Sequence, residues 1–377
     1  MSQTLIPLAV PELGEEEWQA VREPLFSGWV VQGPKTLAFE KAFAQEHGVS
    51  HALATTSCTT ALHLALLALG IGPGDEVIVP SFTWVATANA VLYCGATPIL
   101  ADVDPVSFLT TPEEFLKRLT PRTKAVVPVH LFGLCVDVMA LRAVLPPDVR
   151  IVEDAACAAG GQVQGQSPGG LGDVAAFSFH PRKSITTGEG GMVTTNDDAL
   201  ASKVAILRNH GLNPAAGKQP PHYMPPVDDL GYNYRMTDIQ AAVGLVQLGK
   251  LNRFIDTRAA GARRYAEGLA GINWLTLPSE PQGGRHAWQA YVVSVDPSLT
   301  PVGRDGIMDL LAAQGIQTRP GTQAVHMLGY YADRFGYRPE DLPGAQAAAA
   351  NSMALPLHTR MSDDDYSRVI AALKDIG

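Results

Sequence analysis

The chain is poor in charge, poor in cysteine and free of long apolar runs. Only 17% of its 377 residues are charged, and 37 acidic against 28 basic side chains leave a net charge of −9. No basic cluster stands out against that acidic excess, which argues against a nucleic-acid surface. No apolar stretch is long enough to cross a bilayer as a helix. The opening Met-Ser-Gln-Thr-Leu-Ile-Pro lacks the basic region and apolar core of a signal peptide. The four cysteines, Cys58, Cys94, Cys135 and Cys157, show neither zinc-ligand spacing nor a disulfide framework. Reduced thiols in a cytoplasmic enzyme are therefore expected. Internal repeats and low-complexity segments are also missing. What the chain does have is apolar material: 46% hydrophobic residues at this length can build a large domain with a smaller companion.

Short strand-like runs punctuate residues 51 to 250: Ala52–Thr55, Glu76–Val79, Thr97–Leu100, Ala125–Val129, Arg150–Glu153, Val174–Phe179 and Gly191–Thr195. Several are almost wholly apolar, as expected of strands covered on both faces. Helical patterns such as Thr60–Leu69 and Trp84–Tyr93 separate most of them. That rhythm predicts βαβ crossovers and a mainly parallel sheet in an α/β fold. Ligands of such sheets sit at the carboxyl ends of the strands. Before this region, Glu15–Phe26 reads as a helix with apolar positions at Trp18, Val21 and Leu25. After it, a proline-rich loop is expected at Pro214–Pro226 and a long helical pattern at Ile239–Leu269, broken near Asn252. Ala287–Val295, Ile316–Arg319 and Met353–Leu355 read as strands, and Val302–Gln314 and Asp363–Asp375 as helices. The expected division is a large domain at 1–250, carrying an N-terminal arm, and a small α/β domain at 251–377 that the arm helps complete.

The chemistry-bearing residues follow the predicted strands. Lys183 lies in a loop between Val174–Phe179 and Gly191–Thr195, ahead of Thr186-Thr187-Gly188-Glu189-Gly190-Gly191. The order of a P-loop is absent. A lysine buried between strands is expected to have a lowered pKa, and its neutral amine can condense with an aldehyde. A side chain that simply reaches water is the other reading of the same loop. Ser57-Cys58-Thr59-Thr60 opens a helix, where hydroxyls and free N–H groups suit either an anion or an ordinary cap. Trp84, after the second strand, suits a core position or a stacking surface for a flat ring. Glu153-Asp154 ends a strand with two carboxylates, as a plain solvated strand end or as a charged partner for a ligand.

The run Phe-Ser-Phe-His-Pro-Arg-Lys-Ser-Ile-Thr-Thr-Gly-Glu-Gly-Gly-Met resembles the cofactor-lysine segment of the DegT/DnrJ/EryC1/StrS family, and the likeness extends over nearly the whole chain. Members are pyridoxal-phosphate aminotransferases of the aspartate aminotransferase fold (fold type I), acting mostly on nucleotide-linked keto sugars. The resemblance implies pyridoxal 5′-phosphate as cofactor, with Lys183 as the residue that binds its aldehyde. It implies that Asp154 faces the pyridine nitrogen and that Trp84 stacks on the ring. Ser57, Cys58, Thr59 and Ser178 would hold the phosphate. Cys58 stands where the family often has glycine, and its N–H should still serve. Cys157 stands where glutamine or histidine is common beside the ring hydroxyl, and a thiol is a weaker hydrogen-bond partner there. Gly231–Thr237 resembles the loop that crosses to the partner in a homodimer with a shared active site, with Asn233 contacting the neighbour's phosphate. Arg235 and Arg319 are candidates for a donor carboxylate or the substrate's phosphates, and Trp29, His180 and His326 for the substrate cleft. Family dehydratases carry histidine in place of the lysine, so Lys183 argues against that activity. An amino donor such as L-glutamate and a nucleotide-linked keto sugar are the implied substrates, in amino-sugar or cell-surface polysaccharide biosynthesis. A cyclitol or aminoketone acceptor and a non-catalytic binding protein on the same fold are the alternatives. The loops 28–34, 213–226 and 319–331 are expected to set selectivity.

Overall fold

The structure, a computed structural model, describes residues 4–213, 225–281, 283–300 and 302–376. Most of the proline-rich loop expected at 214–226 therefore lies outside the described residues. Apolar runs of the first half assemble into one sheet. Its strand order is His51–Thr55, Gly191–Thr195, Val174–Ser178, Arg150–Asp154, Thr123–Val126, Glu76–Pro80 and Thr97–Ala101. Gly191–Thr195 is antiparallel to both its neighbours, and the remaining pairings are parallel. The exception has a local cause. A parallel return needs a crossover, usually a helix, and none separates Val174–Ser178 from Gly191–Thr195. The loop between them, which carries Lys183, must double straight back.

Both faces of the sheet are covered. On one side the helix Cys58–Ala68 packs its Ala61, Leu62 and Ala65 with Val79, Val91 and Val193. On the other, Phe39, Phe43, Phe177 and Phe179 meet as an aromatic layer, with ring centroids 5.0 Å apart for Phe43–Phe177 and 5.2 Å for Phe39–Phe179. A second, antiparallel sheet runs Arg319–Pro320, Ser352–Leu355, Tyr291–Val295 and Leu275–Thr276. Its core holds Tyr265, Trp288, Tyr291, Ile307, Leu311 and Val369, and Ile6 of the N-terminal arm joins it through a parallel bridge to Ile316. The chain then crosses back. Gln323–Ala324 pairs with Phe82–Thr83, and Val325, Tyr331, Leu342 and Ala345 pack into the first core.

Several expected boundaries move for physical reasons. Ala125–Val129 stops as a strand at Val126, two residues before Pro128, which cannot donate to the ladder. Ala287–Val295 is strand only over Tyr291–Val295, because Trp288 takes a left-handed conformation with φ 46°. Ile316 forms a bridge to the arm, and only Arg319–Pro320 enters the sheet.

The first helix, Glu15–Ser27, corrects an expectation. Trp18 and Leu25 are not on its buried face. Glu17 is buried instead, accepting from Gly14 N at 2.9 Å, Gln247 Nε2 at 2.8 Å and Lys250 Nζ at 2.7 Å. Three fixed donors outweigh the desolvation of one carboxylate and turn the indole outward. Among the described residues, no helix is long and apolar enough to cross a membrane.

Candidate active site

The carboxyl ends of the parallel strands open into a cavity of about 340 Å3. Its floor is the start of the helix Cys58–Ala68. Ser57 caps that helix, its Oγ accepting from Thr60 N at 3.2 Å. The first N–H groups of a helix have no partner within it, and no described acceptor takes those of Cys58 and Thr59. The Ser57, Cys58, Thr59 and Ser178 side chains line the same wall. Gly191 makes this floor possible. A Cβ there would lie 2.4 Å from the Ser57 carbonyl carbon and 2.6 Å from Cys58 N, so only glycine lets the strand pass so close to the helix start.

The two strand-end carboxylates separate cleanly. Successive side chains of a strand point to opposite faces. Glu153 is wholly buried away from the cavity, where it accepts from Leu171 N at 3.0 Å and Gly172 N at 2.9 Å. It also takes the Nε2 proton of His130 at 3.1 Å, and His130 Nδ1 accepts from Val136 N at 2.9 Å, which fixes that tautomer. Asp154 faces the cavity. It accepts from Thr87 Oγ1 at 2.8 Å and Ala156 N at 3.1 Å. Burial raises its pKa, against the pull of those two bonds and of Lys183 and His130.

Lys183 Nζ donates to Cys157 Sγ at 3.2 Å, and both line the cavity. Burial alone would lower the lysine pKa, as expected. The contact with Cys157, first, and the nearby Cys58 and Asp154 outweigh it, so the net direction is upward, correcting the expectation of a lowered value. Trp84 stands half-exposed on the wall beside Thr87.

A polar rim with two arginines completes the cavity. His180, Arg182 and Arg319 line it with Gln289 and Glu189, and Leu8 and Ala9 of the N-terminal arm close one side. His180 Nδ1 accepts from Arg182 N at 3.2 Å, and burial lowers the imidazole pKa.

Other sequence candidates lie elsewhere. His326 is wholly buried outside the cavity, tied to Ser81 Oγ at 2.7 Å and the Pro339 carbonyl at 3.1 Å; its polar partners hold the returning segment 323–339 to a strand end. Trp29 is exposed on the surface, its Nε1 donating to the Gln32 carbonyl at 3.3 Å, and does not line this chain's cavity. Asn233 and Arg235 also stand outside it. Arg235 donates to Asn209 Oδ1 at 2.7 Å, and Asn233 is exposed. Sequence reasoning missed Thr87, Arg182, Gln289 and the Leu8-Ala9 wall. Thr87 had a findable signal, one helical turn beyond Trp84. The others depend on contacts distant in sequence.

The donor set fits pyridoxal phosphate. Two free N–H groups and three hydroxyls suit a phosphate, a buried carboxylate suits a pyridinium, an indole suits the ring, and a lysine stands ready for the aldehyde. Comparison with known proteins agrees. The chain belongs to the DegT/DnrJ/EryC1/StrS aminotransferase family, whose model matches residues 11–374. It is thus a pyridoxal-phosphate-dependent aminotransferase of the type I fold. It is 43% identical over 374 residues to the GDP-perosamine synthase of Caulobacter vibrioides, covering 98% of each chain. The crystal structure of the aminotransferase TlmJ from Streptoalloteichus hindustanus superposes with a TM-score of 0.91 at 36% identity, over 98% of each chain. Spr1654 of Streptococcus pneumoniae in its PLP form gives 0.92 at 29% identity, over 99% of this chain and 98% of that one.

Proposed function

We propose that the protein moves an amino group from an amino acid, L-glutamate, to a keto sugar carried on a nucleoside diphosphate, for amino-sugar or surface-polysaccharide synthesis. The observation that carries this reading is Lys183 and Asp154 on the wall of one cavity, above a helix start with free N–H groups. The likeness to GDP-perosamine synthase supports the acceptor class.

Pyridoxal phosphate, when bound, supplies an aldehyde and an electron-accepting ring. The chain's own residues do the rest. Ser57, Thr59, Ser178 and the Cys58 and Thr59 N–H groups hold the phosphate. Asp154 keeps the ring nitrogen protonated through a charge-assisted hydrogen bond, and Thr87 and Ala156 N keep Asp154 in place. Trp84, on the cavity wall, would offer its indole to the ring. Lys183 Nζ would take up the proton of the donor's Cα as a base and then serve as the acid that gives a proton back. Cys157 orients Nζ between those steps.

The working unit in this reading is a homodimer in the cytoplasm, where Cys58, Cys94, Cys135 and Cys157 are free thiols. Trp18, Leu25, Phe26, Trp29 and Val31 are all exposed along the first helix and its following loop, a surface that suits a second copy. Tyr232 and Tyr234 stack on each other at 4.9 Å, and Tyr232 meets His63 edge-on at 5.0 Å. Asn233 alternates with them and is exposed, which is compatible with a contact to a neighbour in this reading. The absorbance spectrum of the purified protein, with and without glutamate, tests the donor half of the reading. A panel of nucleotide keto sugars tests the other half. A cofactor band that glutamate leaves untouched would refute transamination from this donor.

A further inference from the structure

We propose that Arg258 is a positioning residue for Lys183. Its buried guanidinium, outside the cavity, holds the wall segment from which Gln289 grips the backbone next to the lysine. This rests on Lys183 being the residue that takes the cofactor, and it adds a residue from outside the cavity.

Arg258 lies on the helix Leu251–Gly268, where that helix passes from one core to the other. Leu251, Phe254 and Ile255 pack with the aromatic layer behind the first sheet, and Ala262, Tyr265 and Leu269 in the core of the second. Arg258 is only 5% exposed, and no carboxylate pairs with it among the described residues. Its Nε is buried with no partner among them. Burial pulls its pKa down to about 10, with Tyr366 opposing. Space alone would be filled more cheaply by an apolar chain, so the charge needs another explanation.

The carbonyls around it supply one. The second sheet pairs Tyr291 with Leu355, and the next residue, Pro356, has no N–H to carry the ladder on. Buried carbonyls past that point need donors from elsewhere. Arg258 Nη1 donates to three of them: Leu357 at 2.9 Å, Gln289 at 3.2 Å and Trp288 at 3.3 Å. Trp288 is the left-handed residue, with φ 46°, a conformation that a bulky side chain keeps only where its surroundings enforce it. His286 Nδ1 accepts the Trp288 N–H at 2.8 Å, and Arg258 takes the carbonyl at the other end. Past this bend, Gln289 and Ala290 line the cavity. Gln289 Nε2 donates at 2.8 Å to the Arg182 carbonyl, which belongs to the peptide group joining Arg182 to Lys183. On the other side of the clasp, Leu357 N donates to the Leu8 carbonyl at 3.3 Å, and both residues line the cavity. One guanidinium thus fixes two stretches of wall, and one of them reaches the lysine loop.

The rate at which cofactor-free protein captures pyridoxal phosphate, read as the borohydride-reducible bond to Lys183, tests this without turnover. Arg258→Lys keeps the charge but not the three-way contact, and Gln289→Ala removes the grip itself. Each should slow capture about 2- to 10-fold, the weight of one neutral hydrogen bond. The double variant should be no slower than the slower single one, because both changes act through the same contact. A residue that serves the fold alone predicts a lower melting temperature with unchanged capture in Arg258→Lys, and that result overturns the proposal. So do effects on capture that multiply in the double variant. Arg258→Met, which removes the charge altogether, takes its place in the cycle if the lysine variant does not fold. Gln289→Ala leaves the buried charge untouched, so normal capture by it overturns the proposal by itself. If wild type captures the cofactor but glutamate leaves its band unchanged, transamination fails and the positioning role stands.

Discussion

Lys183 and Asp154 carry the heaviest demands, and each admits a direct test. Lys183→Ala should abolish turnover and the borohydride-reducible bond between protein and cofactor while the fold persists; a variant that can still be trapped at this site would remove Lys183 from its role. Asp154→Asn gives up one charge-assisted contact, worth about 1.5–3 kcal/mol, so the rate should fall roughly 10- to 100-fold. It should also change the pH dependence of stability. Burial raises the Asp154 pKa in the folded chain. The folded state then holds that proton more tightly than the unfolded chain does. The stability it contributes is present below the unfolded pKa and lost as pH rises through the raised one. Melting temperatures of the cofactor-free proteins should therefore move in favour of the asparagine variant as pH rises above the ordinary aspartate range, about pH 4. A difference that stays constant across that range would rule out the buried-charge account.

At the scale of elements, the meeting of the Gly191–Thr195 strand with the start of the Cys58–Ala68 helix sets the phosphate floor. Gly191→Ala would press a methyl group into the Ser57 carbonyl carbon, 2.4 Å away. Overpacking of this kind costs about 1–3 kcal/mol, so cofactor affinity should drop about 10-fold or more in an absorbance titration; normal loading would show that the floor tolerates displacement. Which elements exist was largely legible in the sequence, whereas several of their ends were not. Short apolar runs with breakers between them are local signals, and Ser57, Trp84, Asp154, Ser178 and Lys183, at or just beyond their ends, line one cavity. Facing was less legible. Nothing local says that Glu17 finds Gln247 and Lys250 and so turns Trp18 outward. His326 looked like a cleft residue because its partner Ser81 lies 245 positions away. The direction of the Lys183 pKa likewise depends on Cys157 and Asp154, which only the fold brings near.

At the scale of the whole molecule, the proposal that the active site is shared between two chains makes a sharp prediction. Lys183→Ala and Asn233→Ala proteins, each weak alone, should regain activity when dissociated together and reassociated. A mixed dimer then holds one site with both lesions and one with neither. Free reassortment restores roughly a quarter of all sites. Activity that stays at the parental average, after labelled chains prove exchange, would confine each site to a single chain. The same arrangement gives the protein a built-in optical readout. Of its five tryptophans, Trp274 and Trp288 are buried in the second core, Trp18 and Trp29 lie on the exposed first-helix surface, and Trp84 alone lines the cavity. Cofactor filling the cavity should quench the emission of Trp84 by energy transfer, whereas pairing of two chains should shift Trp18 and Trp29 to the blue. Loading and assembly can then be followed as two separate signals from unlabelled protein.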